Sequence, residues 1–332
     1  MTTYEKLQRK LRRTPRKWLV TGAAGFIGSH LAETLLQLNQ KVVGLDNFST
    51  GTPANLEDLQ SSLSIKQRRQ FKFIEGDITC DADCKLACRG VDYVLHQAAL
   101  GSVPRSFADP LSTHLANTTG FLKILLAAQK AKVKRVVYAS SSSVYGDSGP
   151  RPSAVENPVD HPISLYAATK KANELMAHTY SHLYGLHTTG LRFFTVYGPW
   201  GRPDMAMYIF TEKISNDLPI PVFNYGKMQR DFTYIDDIID GVKASIDKNF
   251  FCEIFNLGNN RCENLMDMIA LIEQSLGKKV VLNMMDIQPG DVKKTFADID
   301  LSREKLEYKP VTSIHDGIPK FIRWYQDYTS KQ

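Results

Sequence analysis

The chain has 332 residues, 43% of them hydrophobic and 23% charged, with a formal net charge of +6, the make-up of an ordinary globular protein rather than a fibrous or disordered one. No stretch has the apolar length of a membrane span, the N-terminus lacks the apolar core of a signal peptide, and five cysteines do not make a disulfide framework, so the cytoplasm is the expected compartment. Much of the positive excess sits in Lys6, Arg9, Lys10, Arg12, Arg13, Arg16 and Lys17. This predicts a solvated, helical N-terminal extension over residues 1–16. Attraction to nucleic acid or membrane is the minor alternative, and no aromatic-interleaved basic stripe elsewhere supports it.

In chain order, Lys17–Thr21 reads as a short buried strand, Gly22 to Gly28 as a turn, and Ser29 to Leu38 as a helix apolar on one side. Lys41–Asp46, Phe71–Glu75, Val91–Leu95, Arg135–Ala139 and Thr188–Arg192 read as further strands, with helices over Phe121 to Ala131 and Tyr166 to Tyr184. Strands alternating with helices imply an α/β fold, a doubly wound parallel sheet that binds ligands at the carboxyl ends of its strands. Cys80, Cys84 and Cys88 recur every four residues. They share one helix face with no fourth ligand near in sequence, so no metal site is expected. Past Phe194 the rhythm changes, with Pro199, Gly201 and Pro203 marking a loop. Ile254–Leu257 reads as a strand that returns to the sheet, Leu265 to Leu276 as a helix, and the tail from Val280 mixes short elements. A smaller, interleaved second domain that covers the ligand is predicted.

The loop Gly22-x-x-Gly25-x-x-Gly28 follows a strand and opens a helix, and Asp46 closes the next strand eighteen positions after Gly28. Glycines there let the backbone approach a pyrophosphate and aim the helix N-terminus at it. A carboxylate at Asp46 accepts hydrogen bonds from an adenosine ribose and repels a 2′-phosphate, which favours NAD over NADP. Asp77, closing the third strand, is assigned to the adenine side. Tyr166 stands four residues before Lys170, so the two share a helix face. An ammonium beside a phenol favours the phenolate and lets the tyrosine act as a base below its usual pKa of about 10. A dinucleotide loop with an activated tyrosine points to hydride chemistry at an alcohol carbon.

From residue 17 to about 300 the chain resembles the extended short-chain dehydrogenase/reductases, in the branch that modifies nucleotide sugars. The matching pieces are Thr21-Gly-Ala-Ala-Gly-Phe-Ile-Gly28, His96-Gln-Ala-Ala99, Ser140-Ser-Ser-Ser-Val-Tyr-Gly146, Tyr166-x-x-x-Lys170, Arg192-Phe-Phe-Thr-Val-Tyr-Gly198 and Arg230-Asp-Phe-Thr-Tyr-Ile-Asp-Asp237. The resemblance implies an NAD-binding Rossmann fold over 17–192 plus about 233–262, and a UDP-sugar-binding domain over about 193–232 plus 263–332. It implies that Gly22, Gly25, Phe26, Ile27, Gly28, Asp46, Asn47, Asp77, Ile78, Gln97, Ala98, Tyr166, Lys170 and Phe193 hold a tightly bound NAD that is regenerated in each turnover. Tyr166 takes the proton of a sugar hydroxyl, Lys170 binds the nicotinamide ribose, Ser141 hydrogen-bonds the same hydroxyl, and Arg230 pairs with the substrate pyrophosphate. A homodimer is implied, through helices around 110–130 and 166–184 that form a four-helix bundle.

Three kinds of relative oxidise C4 of a nucleotide-linked sugar and differ in the fate of the 4-keto intermediate. The 4,6-dehydratases carry Asp-Glu directly after the catalytic Thr, and the uronate decarboxylases carry a glutamate two residues after it. Here those places are Ser142 and Ser143, neither of which is a general acid or base near neutral pH. Epimerisation needs no third titrating group, because the ketone only turns over and takes the hydride back. The stretch from Tyr138 to about Asp240 is similar to UDP-glucuronate 4-epimerases, in which Thr195, Ser142 and Ser143 would hold the sugar carboxylate and Arg202 would lie on the uridine side. A 4-keto uronate is a β-keto acid, and neutral donors that restrain its carboxylate oppose loss of carbon dioxide. The first part of the chain, including Leu100-Gly-Ser-Val-Pro-Arg-Ser106, instead resembles 4-epimerases of UDP-N-acetylglucosamine and its uronic acid. Ser102 and Arg105 would lie near the sugar in that group, Asp291 would contact the substrate, and the small Thr295 would admit bulk at C2. The chain thus mixes two signatures. The leading expectation is UDP-glucuronate to UDP-galacturonate, the alternative an N-acetyl sugar or its uronate, with a decarboxylase or a silent NAD-sensing protein behind them.

Overall fold

The computed structural model describes residues 3–147, 149, 151–248 and 250–330; the outer ends of the predicted extension and of the predicted UDP-sugar domain, 1–2 and 331–332, lie outside the described residues. Six strands run in order along the first part of the chain: β1 (Lys17–Thr21), β2 (Lys41–Asp46), β3 (Phe71–Glu75), β4 (Tyr93–His96), β5 (Arg135–Ser141) and β6 (His187–Phe193). With Cys252–Leu257 they form one seven-stranded sheet in the order Cys252–Leu257, β6, β5, β4, β1, β2, β3. Every pairing in it is parallel. The chain reverses its direction of travel between β1 and β4, which opens a crevice at the carboxyl ends of those strands.

Successive residues of β1 face opposite sides, as a strand's period of two requires. Trp18 and Val20 join one core with Leu31, Leu35 and Leu95, whereas Leu19 joins the other with Val94, Phe121 and Ile124. Helices therefore cover both faces, and each fully buried Leu or Phe contributes roughly 1.5–3 kcal/mol. The helix after β1 is Phe26–Gln37, not Ser29 to Leu38, so Gly28 lies inside its first turn. The segment 103–130 is more helical than its sequence suggests. Val103–Ala108, Pro110–His114 and Phe121–Lys130 are helices, and a wider helical turn over Leu115–Gly120 joins the last two. Leu165–Tyr184 is capped by the Ser164 hydroxyl, which accepts from the Ala167 N–H, and stops at Gly185 in the left-handed conformation.

After β6 the chain adds three small two-stranded sheets and further helices, among them Ala206–Ser215, Leu265–Leu276 and Ile314–Thr329. The basic extension is helical over Thr3–Arg13. It is docked rather than free: Leu7 is buried and the Leu11 carbonyl accepts from Gln40 Nε2 at 2.7 Å. Cys84 and Cys88 are buried in the helix Asp81–Cys88, and burial pushes both thiols up to about 12. They act as core residues. Among the described residues no group of three or more His, Cys, Asp or Glu side chains could hold a metal ion, and no helix is long and apolar enough to cross a membrane.

Candidate active site

The crevice is a cavity of about 510 Å³ that runs along the carboxyl ends of β1 to β6. Its first wall is the turn after β1. A Cβ on Gly22, at φ +70°, would stand 2.8 Å from the Ala98 nitrogen, and one on Gly28 would stand 1.9 Å from the Gly22 carbonyl oxygen. The glycines are required because the helix start sits directly on the turn. Gly25 caps that helix without a side-chain hydrogen bond, leaving its first N–H groups to an anionic ligand.

Asp46, at the end of β2, accepts from the Ala24 and Phe48 N–H groups at 2.9 Å each. Burial nevertheless outweighs those bonds and raises its pKa. Asp77 accepts from Asn47 Nδ2 at 2.8 Å and from the Thr79 N–H at 2.7 Å. Burial opposes its ionisation, but the hydrogen bonds from Thr79 and Asn47 and the Lys123 charge together hold its pKa below the usual value. Gln97 lines the same cavity, and both polar atoms of its amide are buried with no partner. A buried amide needs a donor and an acceptor opposite it. The bare glycine turn, the uncapped helix start, the strand-end carboxylates and this amide all fit a dinucleotide.

Further along, Tyr166 and Lys170 line the cavity with Ser141 from the end of β5. Lys170 is buried, and its Nζ donates to the Ala139 carbonyl at 2.9 Å while lying 5.9 Å from the Tyr166 ring centroid. Burial, and then the Arg202 charge, lower its pKa to about 8. At Tyr166 burial is the larger influence. Burial raises the phenol above its ordinary pKa, and the groups that pull it back down are the Ser141 hydroxyl and the Arg202 charge. Spacing brings Lys170 to the ring, and the Arg202 charge also favours the phenolate. His96 is buried to the point that its pKa falls to about 3; it stays neutral on Thr21 at 2.8 Å.

Ser141 also caps the short helix Ser142–Tyr145, its Oγ accepting from the Ser143 N–H at 3.1 Å and donating to Ser143 Oγ at 3.1 Å. Ser142, Ser143, Thr195 and Arg202 all reach the cavity wall. Ser102, Arg105, Arg230, Asp291 and Thr295 do not. Ser102 caps Val103–Ala108, Arg230 is turned onto Asp291 at 2.8 Å, and the Thr295 hydroxyl accepts from the Asp231 N–H at 3.1 Å. Sequence reasoning missed Ser49 and Thr50 on the wall. They follow Asp46 within four residues, in the loop at a strand's carboxyl end, and that position was the available signal. Ser112, Leu115, Ala116 and Met205 also line it, with no local signal to find them.

Comparison with known proteins agrees with this geometry. A family model described as "NAD dependent epimerase/dehydratase family" matches residues 18–258. The chain is 40% identical over 335 residues to UDP-glucuronate 4-epimerase 4 of Arabidopsis thaliana, covering 94% of this chain and 76% of that one. The crystal structure of UDP-glucuronic acid 4-epimerase from Bacillus cereus, in complex with UDP-glucuronic acid and NAD, matches with a TM-score of 0.87 at 35% identity, over 94% of this chain and 99% of that one. UDP-N-acetylglucosamine 4-epimerase from Methanobrevibacter ruminantium M1, in complex with UDP-N-acetylmuramic acid, matches with a TM-score of 0.86 at 29% identity, over 95% and 99%. The backbone alone does not choose between the two sugars.

Proposed function

The chain belongs to the NAD dependent epimerase/dehydratase family, and from that premise we propose that it interconverts UDP-glucuronate and UDP-galacturonate by inversion at C4, with NAD retained. One observation carries the choice of reaction. Among the described residues the only carboxylates on the cavity wall are Asp46 and Asp77, both at the dinucleotide's strand ends. Around Tyr166 the wall supplies hydroxyls from Ser141, Ser142, Ser143 and Thr195 together with the Arg202 guanidinium. That set can take a proton from the C4 hydroxyl and hold a carboxylate, but it has no acid or base for elimination at C5 and C6.

In this reading Tyr166 takes the proton of the C4 hydroxyl and returns it to the same oxygen after the ketone has turned its opposite face to the hydride donor. Gly22, Gly28, Asp46, Asp77 and Gln97 would hold NAD, which when bound would supply the reversible hydride acceptor for C4. Ser141 orients the hydroxyl on Tyr166, and Lys170, anchored on Ala139, fixes the ring's position and reaches the ribose. Ser142, Ser143 and Thr195 hold the sugar carboxylate with neutral donors, which opposes decarboxylation of the ketone. Arg230, freed from Asp291, would pair with the pyrophosphate. The segments after β6 other than Cys252–Leu257 would form the sugar-nucleotide lobe.

The second reading is a 4-epimerase of UDP-N-acetylglucosamine or its uronic acid, favoured by the small Thr295 and by the Methanobrevibacter relative. Purified protein incubated with UDP-glucuronate is expected to yield UDP-galacturonate and no carbon dioxide. A UDP-pentose would indicate decarboxylation, and inertness together with turnover of UDP-N-acetylglucosamine would favour the second reading. We also infer a homodimer in the cytoplasm. Leu111, Leu115, Leu122 and Leu126 on one helical stretch and Leu175, Leu183 and Tyr184 on Leu165–Tyr184 are exposed apolar side chains, a patch of the kind that marks an interface. Sedimentation at the mass of one chain would contradict the dimer.

A further inference from the structure

Residues 1–17 hold seven of the 41 lysines and arginines and one of the 35 acidic residues, so residues 18–332 are formally neutral and the entire +6 sits in this segment. The helix Thr3–Arg13 sorts that charge by face. At about 100° per residue, Leu7 and Leu11 stand on one side and Lys6, Arg9 and Arg13 on the opposite one, with Arg12 beside them. Leu7 is buried and Leu11 packs against the main core, so the apolar side is used by the protein itself. Lys6, Arg9, Arg12 and Arg13 are exposed. Among the described residues none of the four forms an ion pair, while the neighbouring Lys10 pairs with Asp247. Like charges three and four residues apart repel along a helix, and anions outside the chain would relieve that repulsion.

The helix is fixed at the pole of the molecule away from the cavity. Gln40, buried just before β2, donates to the Leu11 carbonyl at 2.7 Å and accepts from the Arg16 N–H at 3.0 Å. The Arg16 carbonyl in turn accepts from the Lys41 N–H at 2.9 Å. Asp247, the partner of Lys10, ends the helix Ile235–Asp247, five residues before Cys252–Leu257 begins. These anchors lie at the amino ends of the strands, whereas the cavity runs along the carboxyl ends. A surface that meets the basic face therefore leaves the crevice open.

We propose that the outward face of Thr3–Arg13 binds the anionic headgroups of a lipid bilayer, and that this face holds the protein at a membrane surface with its crevice turned away. The contact is electrostatic and reversible, because no apolar face is left to insert. Nucleic acid fits less well: residues 5–17 include no aromatic side chain on which a base could stack. A charged bilayer surface needs none.

The experiment is sedimentation of the full chain with vesicles of phosphatidylcholine alone or of phosphatidylcholine mixed with phosphatidylglycerol, at low salt. Binding is expected to the mixed vesicles only, and to be lost in about 0.5 M sodium chloride, where the screening length falls to roughly 4 Å. Arg9→Gln, Arg12→Gln and Arg13→Gln together should lower the partition coefficient by about 100-fold, at about fivefold for each cation, and leave turnover in solution unchanged. The same three charges removed elsewhere, by Lys66→Gln, Lys85→Gln and Lys309→Gln, should lower it far less. Absence of binding to the mixed vesicles, equal binding to the neutral ones, or equal losses in the two triple variants would overturn the proposal. Tighter binding to duplex DNA than to the mixed vesicles at the same salt would also overturn it and assign the face to nucleic acid.

Discussion

Replacing Tyr166 with phenylalanine lowers the turnover number by about 10³-fold, within the range for loss of a positioned general base, and leaves NAD bound. The ring stays, so the packing of Leu165–Tyr184 against the sheet is kept; only the oxygen that meets the Ser141 hydroxyl is removed. No neighbour replaces it. Ser141 does not ionise near neutral pH, and Lys170 Nζ is committed to the Ala139 carbonyl at 2.9 Å. Turnover is read by separating the two uridine nucleotides, and bound cofactor by the nucleotide released on denaturation; unchanged turnover would remove Tyr166 from the mechanism. The sign of the pH dependence comes from the same surroundings. The base form is the phenolate, so the rate rises with pH. The Arg202 charge stabilises that phenolate, so Arg202→Ala should move the rising limb to higher pH.

The second large effect is on stability. Glu174 and Arg192 have side chains 2% and 3% exposed and meet in two parallel bonds, Nε to Oε1 at 2.8 Å and Nη2 to Oε2 at 2.9 Å. Ser140 Oγ donates to the same carboxylate at 2.7 Å, and Arg192 Nη1 donates to the Tyr145 hydroxyl at 2.9 Å. Glu174→Ala strands a buried guanidinium and should cost about 3–5 kcal/mol, a fall in melting temperature on the order of 10 °C. Replacing both residues with methionine should recover most of that, since a buried pair is often worth no more than an apolar one. A cost under about 1 kcal/mol for the single change would show that water reaches the pair. The network bears on function because Glu174 lies one helical turn past Lys170, and Ser140 precedes Ser141. The one ion pair thus fixes the catalytic helix against the strand end that carries the serine.

The features legible in the sequence are those that short-range geometry dictates. Gly22 and Gly28 are readable because a turn that runs under a helix start has no room for side chains. Asp46 is readable because it closes the strand after that turn, and Tyr166 with Lys170 because four residues make one helical turn. The parallel sheet is readable from the same alternation. The pKa of Tyr166 is not, since spacing places Lys170 but says nothing of burial, which is the larger influence, or of Arg202, which arrives from a loop 36 residues downstream. Glu174 reads locally as an ordinary helix-surface acid, and its burial becomes visible only once β6 is packed beside it.

The most direct test tracks UDP-glucuronate deuterated at C4 through the purified protein in ordinary water, with the products resolved by mass spectrometry. A reversible oxidation beside a retained nucleotide predicts UDP-galacturonate that keeps its deuterium at C4 and no carbon dioxide. Product with the label lost to solvent, or a UDP-pentose in its place, would contradict it.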